Sequence, residues 1–264
     1  MKEFYMLYNA VYFGDYKEFA DMIPDRSVDL ILTDPPWSFR DKEIALLRDK
    51  SKTSLLLKGN YSSYLEFCKE MFNIFSRVIK LNGNVAIFHN LKMFPTLLVC
   101  SIKNGFKLNQ FFVYVLKHKP GGKGVFQDKP QNRFVDVCEY ISIFKLDDYK
   151  PYFDANSVID LFPDNRVLNF YVVEEGRASK KLRYLAQKPE IILRIMVRAL
   201  CPPGGIVYDP FLGSGTIIPV CIDEKRYIIG SEIDRLAQDL ILHRIIESGA
   251  KIKILRKEME EVKV

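Results

Sequence analysis

The sequence is poor in the features that mark several protein classes. Its five cysteines, Cys68, Cys100, Cys138, Cys201 and Cys221, are odd in number, widely spaced and without a CxxC pair. That pattern argues against both a disulfide framework and a structural zinc site, and it suits a reducing, cytoplasmic setting. No run of about 18 apolar residues occurs, so no membrane-spanning helix is expected. The first residues carry Glu3 and Asp15 without an uninterrupted apolar stretch, unlike a signal peptide. Internal repeats and low-complexity tracts are missing. The three histidines, His89, His118 and His243, are scattered, and none is assigned a catalytic role. There is one tryptophan, and no Pro-Cys dipeptide to suggest a cysteine nucleophile for ring-carbon chemistry.

What is present reads as one globular α/β unit. Hydrophobic residues make up 48% of 264 residues, enough for a sizeable core, and the net charge of +6 is a mild bias toward polyanions. Val28-Asp29-Leu30-Ile31-Leu32 reads as a buried strand that stops at Pro35-Pro36, because proline cannot donate to a sheet ladder. Apolar residues at helical spacing mark a helix over 61–80. Asn82-Gly83 then turns the chain into a strand at Val85–Phe88, and 91–104 reads as a helix. Strands are expected at Phe111–Leu116 and Val137–Phe144, on either side of a basic, glycine-rich loop. Residues 146–170, with Pro151 and Pro163 and no clean period, read as an insertion. Helices over 190–200, 216–224 and 234–248 alternate with strands at Ile206–Tyr208 and Tyr227–Ser231. This alternation predicts a doubly wound, mostly parallel sheet covered on both faces.

Two local patterns carry chemistry. The first is Asp209-Pro210-Phe211-Leu212-Gly213-Ser214-Gly215-Thr216, between a strand and a helix, with Glu232 at the end of the next strand. Glycines there allow a tight turn and close approach to a ligand, and an acid placed like Glu232 can accept from both ribose hydroxyls. No lysine follows the last glycine, and Asp209 would repel phosphate, so this is not a P-loop. A nucleoside with a cationic end fits better, as in S-adenosylmethionine, which carries an ammonium and a sulfonium. The second pattern is Asp34-Pro35-Pro36-Trp37, just past a buried strand. An exocyclic base amine is a poor nucleophile because its lone pair is delocalised into the ring. A carboxylate acceptor from Asp34 and a main-chain carbonyl, that of Pro35, would favour its pyramidal form, an effect worth roughly 10²–10⁴ in rate. Trp37 offers a face on which an extruded base can stack, worth about 1–3 kcal/mol.

In this order the motifs resemble the β group of DNA amino-methyltransferases, in which the catalytic tetrad precedes the cofactor loop. Protein glutamine methyltransferases carry Asn-Pro-Pro-Tyr after that loop, which disfavours them here. Gly14-Asp15 resembles the family's acid near the cofactor adenine. Asn82-Gly83-Asn84 with Val85–Phe88 is similar to the strand after the catalytic helix. Asn132-Arg133-Phe134 with Glu139-Tyr140-Ile141 resembles its antiparallel hairpin, and Gln187-Lys188-Pro189 its segment at the methionine end. The resemblance implies a seven-stranded sheet with one reversed strand, in permuted motif order, as a single catalytic domain over 1–264. Residues 146–185 would be a short target-recognition insertion. It implies Asp34, Pro35, Pro36 and Trp37 as catalytic residues. Asp15, Asp34, Lys188, Asp209, Phe211, Gly213, Ser214, Gly215, Thr216 and Glu232 would hold the cofactor. No metal is implied.

The expected activity is methylation of the adenine amine in DNA by in-line displacement on a flipped base. An Asp opening the tetrad leans, within the resemblance, toward adenine, whereas Ser leans toward cytosine. The family more often has Tyr or Phe where Trp37 stands, so cytosine-N4 methylation stays open. RNA amino-methylation and a non-catalytic nucleic-acid binder are more distant alternatives. A homodimer and a cognate restriction enzyme are implied as partners by resemblance only. Lys117, Lys119, Lys123 and Arg133 in one basic loop, and Lys180 and Lys181 in another, are expected phosphate contacts that position DNA without reading it. Neutralising Lys180 and Lys181 together is expected to weaken DNA binding and to flatten its salt dependence. An unchanged slope of affinity against salt would reject that assignment.

Overall fold

The computed structural model describes residues 8–36, 61–116, 138–173 and 187–256. These build one twisted sheet with helices on both faces. In chain order the elements are β1 (Ala10–Phe13), α1 (Tyr16–Ala20), β2 (Val28–Thr33), α2 (Tyr61–Val78), β3 (Ile79–His89), α3 (Phe94–Lys103), β4 (Phe106–Leu116) and β5 (Cys138–Leu146). Short 3-10 turns at Asn156–Leu161 and Pro163–Asn165 lead to β6 (Phe170–Val173). The chain resumes with α4 (Glu190–Leu200), β7 (Ile206–Asp209), α5 (Ile217–Asp223), β8 (Tyr227–Glu232), α6 (Arg235–Ser248) and β9 (Lys253–Arg256).

The sheet order is β6-β4-β5-β3-β2-β7-β8-β1-β9. Only β5 runs antiparallel to its neighbours. The single reversed strand is as expected, but nine strands are described rather than seven. The additional pair, β6 and β9, are four-residue strands at the two edges, too short to show a period in the sequence. β3 also begins earlier than expected, running through Asn82-Gly83 as one strand. The disruption shows instead as a register shift against β2, from Val28↔Ile79 to Leu30↔Asn84.

Two cores explain the wound topology. On one face, Ile31, Val85, Ile87 and Tyr208 meet α1, α2 and α3. On the other, Leu30, Leu32, Ala86 and Val207 meet α4, α5 and α6. Alternate residues of β2 thus feed both cores, which is why the strand reads as a continuous apolar run. Asp29 interrupts that run without loss. Its carboxylate accepts from Lys80 Nζ at 2.8 Å and from the Ile206 N–H at 2.9 Å, so it fastens β3 and the start of β7 to β2. In α2, the buried Tyr64, Phe67, Cys68, Met71, Phe72, Phe75 and Val78 recur every three or four residues along one side. Val158, Phe162 and Val173 join the core beside α4, so the described part of 146–185 packs onto the sheet and does not stand apart from it.

Connections leave the sheet centre in opposite directions. β2 passes through α2 to β3 on one side, and β7 passes through α5 to β8 on the other. The crevice at the carboxyl ends of β2 and β7 is therefore the switch point at which open α/β sheets bind ligands. The β7–β8 seam below it is tight. A Cβ on Gly230 would lie 2.5 Å from the Asp209 carbonyl oxygen and 2.7 Å from the Leu212 side chain. Gly230→Ala is expected to destabilise the protein by about 1–3 kcal/mol in urea titration. A midpoint equal to that of the parent would show that the seam has room for the methyl.

Candidate active site

The parallel pairing of β2 with β7, Leu30↔Val207 and Ile31↔Tyr208, brings the two sequence motifs to one edge. Thr33 Oγ1 donates to Asp209 Oδ1 at 2.7 Å, joining residues 176 positions apart. Asp34 follows Thr33 directly and keeps a quarter of its side chain exposed. Pro35 is buried and Pro36 half-buried. Trp37 lies outside the described residues, as do Lys117, Lys119, Lys123, Arg133, Lys180 and Lys181.

The glycine-rich turn is held almost entirely by the protein's own groups. The Phe211 N–H donates to Asp209 Oδ1 at 3.0 Å, and the Gly213 N–H donates to Glu232 Oε2 at 2.7 Å. Ser214 and Thr216, both buried, share a hydrogen bond of 2.9 Å between their hydroxyls. Gly213 and Gly215 have positive φ of 52° and 70°, the left-handed region that favours glycine. A Cβ on Gly215 would also sit 2.9 Å from Ile241, so this glycine admits α6. Phe211 packs against Tyr16 and Phe67, with ring centroids 4.9 and 5.7 Å away. It forms an aromatic wall beside the crevice.

Glu232 ends β8, and its second oxygen accepts from the Asp234 N–H at 2.8 Å. Asp15 belongs to the same edge, because Phe13 pairs with Glu232 and the Gly14 N–H donates to the Glu232 carbonyl at 3.0 Å. Its described hydrogen bond is a helix cap, accepting from the Lys17 N–H at 2.8 Å. Lys188 precedes α4. Its Nζ lies 3.0 Å from Asp34 Oδ2 and 3.1 Å from Glu139 Oε2, over the Phe88 ring. The described contacts of this lysine are thus with two acids, one of them in the tetrad. Glu139, Thr33 and Gly230 are site-forming residues that sequence reading did not single out. For Glu139 a signal existed in the Glu139-Tyr140-Ile141 match; Thr33 and Gly230 act through strand adjacency, which no local pattern displays.

Electrostatics set this crevice apart. Burial pushes the Asp209 carboxyl up to about 7, against the hydrogen bonds from Thr33 and Phe211. Burial likewise raises Glu232 to about 7, opposed by the N–H groups of Asp234 and Gly213. A cation or hydrogen-bond donors brought beside either acid would offset this burial and favour its ionised form. For Lys188, burial disfavours the charge, but Asp34 and Glu139 outweigh it and hold the ammonium protonated. Among the described residues no cluster of metal-binding side chains is present.

The raised acids have a consequence for the ligand-free protein. A carboxyl whose folded value lies above its unfolded value favours folding at low pH, and that contribution is lost as pH rises through the folded value. Asp209 and Glu232 should therefore cost stability progressively between roughly pH 4 and pH 8. Asp209→Asn combined with Glu232→Gln is expected to reduce this slope in chemical denaturation. An identical slope in parent and variant would place the ionisation elsewhere.

Comparison with known proteins gives the family and the fold. The profile of the N6/N4-type family described as DNA methylase matches residues 28–243, which span both motifs. The type II methyltransferase M.HpaI of Haemophilus parainfluenzae is 29% identical over 81% of this chain and 66% of its own length. M.MjaI of Methanocaldococcus jannaschii is 27% identical over 90% of this chain and 91% of its own. The chain thus spans just under two thirds of the first relative and nearly all of the second. Among solved structures, the cytosine-N4-specific PvuII DNA methyltransferase superposes with a TM-score of 0.68 at 18% identity, over 94% of this chain and 95% of that one. The M1.HpyAVI–SAM complex gives 0.64 at 21% identity, over 89% and 98%. These two likenesses establish the fold. Because the family profile covers most of the chain, tetrad and glycine-rich loop included, the protein belongs to the DNA methylase family.

Proposed function

We propose that this protein transfers the methyl group of S-adenosylmethionine to the exocyclic amine of adenine in DNA. The observation that carries the reading is the Thr33–Asp209 hydrogen bond, which sets the tetrad acid beside the glycine-rich crevice. The residues of the crevice fit that cofactor. Asp209 and Glu232 are buried acids at the ends of neighbouring strands, suited to the ammonium and the ribose hydroxyls. Phe211 with Tyr16 supplies an aromatic face for the adenine. When bound, the cofactor supplies an electrophilic methyl on a sulfonium sulfur.

The chain's own residues would do the rest. Asp34 and the Pro35 carbonyl accept from the two N–H groups of the target amine and favour its nucleophilic form. Trp37 stacks on the extruded base. As nitrogen gains the methyl it becomes cationic, and Asp34 stabilises that charge and can take the proton released. Lys117, Lys119, Lys123, Arg133, Lys180 and Lys181 bring cations to the DNA backbone, with target reading assigned to 146–185 and to the segments 41–60 and 117–133. The naming of both curated relatives as type II methyltransferases supports a partner restriction enzyme for this chain too.

The preference for adenine rests on the Asp that opens the tetrad. Methylation of the cytosine amine is the second reading, favoured by the likeness to the PvuII enzyme. The test is to incubate the protein with labelled S-adenosylmethionine and DNA, digest, and identify the labelled nucleoside. N6-methyladenine is expected, and Asp34→Ala is expected to abolish transfer while cofactor binding stays largely intact. Label in cytosine would overturn the choice of base; no label in DNA, with cofactor bound, would overturn the DNA-modifying reading.

A further inference from the structure

The contacts of Lys188 extend the site in a direction the motifs do not indicate. Four adjacent strands contribute to one line of side chains. Tyr114 comes from β4, Glu139 from β5, Phe88 from β3, and Asp34 from the end of β2. Tyr114 and Glu139 face each other directly in the antiparallel register. The buried Tyr114 hydroxyl donates to Glu139 Oε2 at 2.5 Å, and the same oxygen lies 3.1 Å from Lys188 Nζ. Lys188 then reaches Asp34 Oδ2 at 3.0 Å, with its ammonium 5.0 Å from the centre of the Phe88 ring. Because β5 is reversed, its first residues lie at the edge where the parallel strands end. This alone lets Glu139 reach the tetrad.

We propose that Glu139 is a positioning residue that acts on Asp34 through Lys188, holding the lysine and offsetting its charge. The inference rests on the transfer reading above. Lys188 alone would fix Asp34 and also neutralise it, weakening its pull on the target amine. With Glu139 present, the two carboxylates and one ammonium of this described trio carry a net charge of −1. Asp34 stays oriented, and the site still favours the positive charge that develops on nitrogen as the methyl arrives. Tyr114 anchors the far end: burial and then the adjacent Glu139 raise its hydroxyl well above the ordinary value, so it remains a donor. On this view Lys188 orients the acid, a role distinct from the cofactor contact implied by resemblance.

The proposal separates charge from structure in a set of variants. Glu139→Gln keeps shape and an acceptor for Tyr114 but takes the trio to zero net charge. It is expected to lower kcat at least tenfold while KM for S-adenosylmethionine stays within twofold. Adding Lys188→Met returns the net charge to −1 but removes the group that orients Asp34, so the double variant is expected to stay well below the parent in kcat. Cofactor affinity, measured by fluorescence quenching, verifies that each variant folds. Parental kcat in Glu139→Gln, a loss confined to KM, or a double variant with parental kcat would each overturn the proposal. Asp34→Ala in the same series keeps the two readings apart. Full turnover in that variant would sink the transfer mechanism, whereas an inactive Asp34→Ala beside a fully active Glu139→Gln would sink only the role of Glu139.

Discussion

The site depends on one pairing, β2 alongside β7. Two strands far apart in the chain lie side by side and parallel, so their carboxyl ends coincide, and the residues that follow them share one crevice. The Thr33–Asp209 hydrogen bond closes that junction at its mouth. Everything chemical in the structure is arranged around it: Asp34 one residue beyond Thr33, the glycine-rich turn one residue beyond Asp209, and Glu232 on the next strand along. Deeper in the sheet Asp29 makes the same junction firm by accepting from the Ile206 N–H at the foot of β7. A buried acid in an apolar strand is tolerated because its lone pairs are taken up by a cation and an amide.

Strand direction matters as much as strand order. In a wholly parallel sheet only residues at strand ends reach the ligand edge. The reversal of β5 brings a strand's beginning there instead, and with it Glu139. The site thus has two acidic halves. One, made of Asp209 and Glu232, is buried and tends to hold protons. The other, made of Asp34 and Glu139, is partly exposed and bridged by the Lys188 ammonium. Their different surroundings suit different work, even though all four groups are carboxyls.

Much of this was readable in advance because it is local. Helices α2, α4 and α6 and strands β2, β4, β5, β7 and β8 announce themselves through period, prolines and flanking turns. The glycine-rich loop announces itself through residues that permit positive φ. The elements that escaped were short. β1, α1, β6 and β9 have four or five residues each, less than one clear period. Pairing partners escaped for a different reason. Nothing near Thr33 signals that its hydroxyl meets Asp209, since the contact exists only once two distant strands adjoin. Lys188 shows the same limit. Its motif places it in the site, but its actual neighbours are set by where β2 ends and β5 begins.

The turn at 209–216 illustrates how far the protein does the ligand's work beforehand. Besides the bonds to Asp209 and Glu232, the Leu212 N–H donates to the Ser231 carbonyl at 3.0 Å. The Gly215 N–H donates to the Leu212 carbonyl at 2.8 Å, and Arg244 donates to the Ser214 carbonyl at 2.7 Å. A loop already tied at so many points loses little conformational freedom when something settles on it. Ordering a slack loop of this length would subtract about 1–2 kcal/mol per residue from any binding energy. Here that entropy is spent during folding, so the contacts a small nucleoside makes can appear almost whole as affinity.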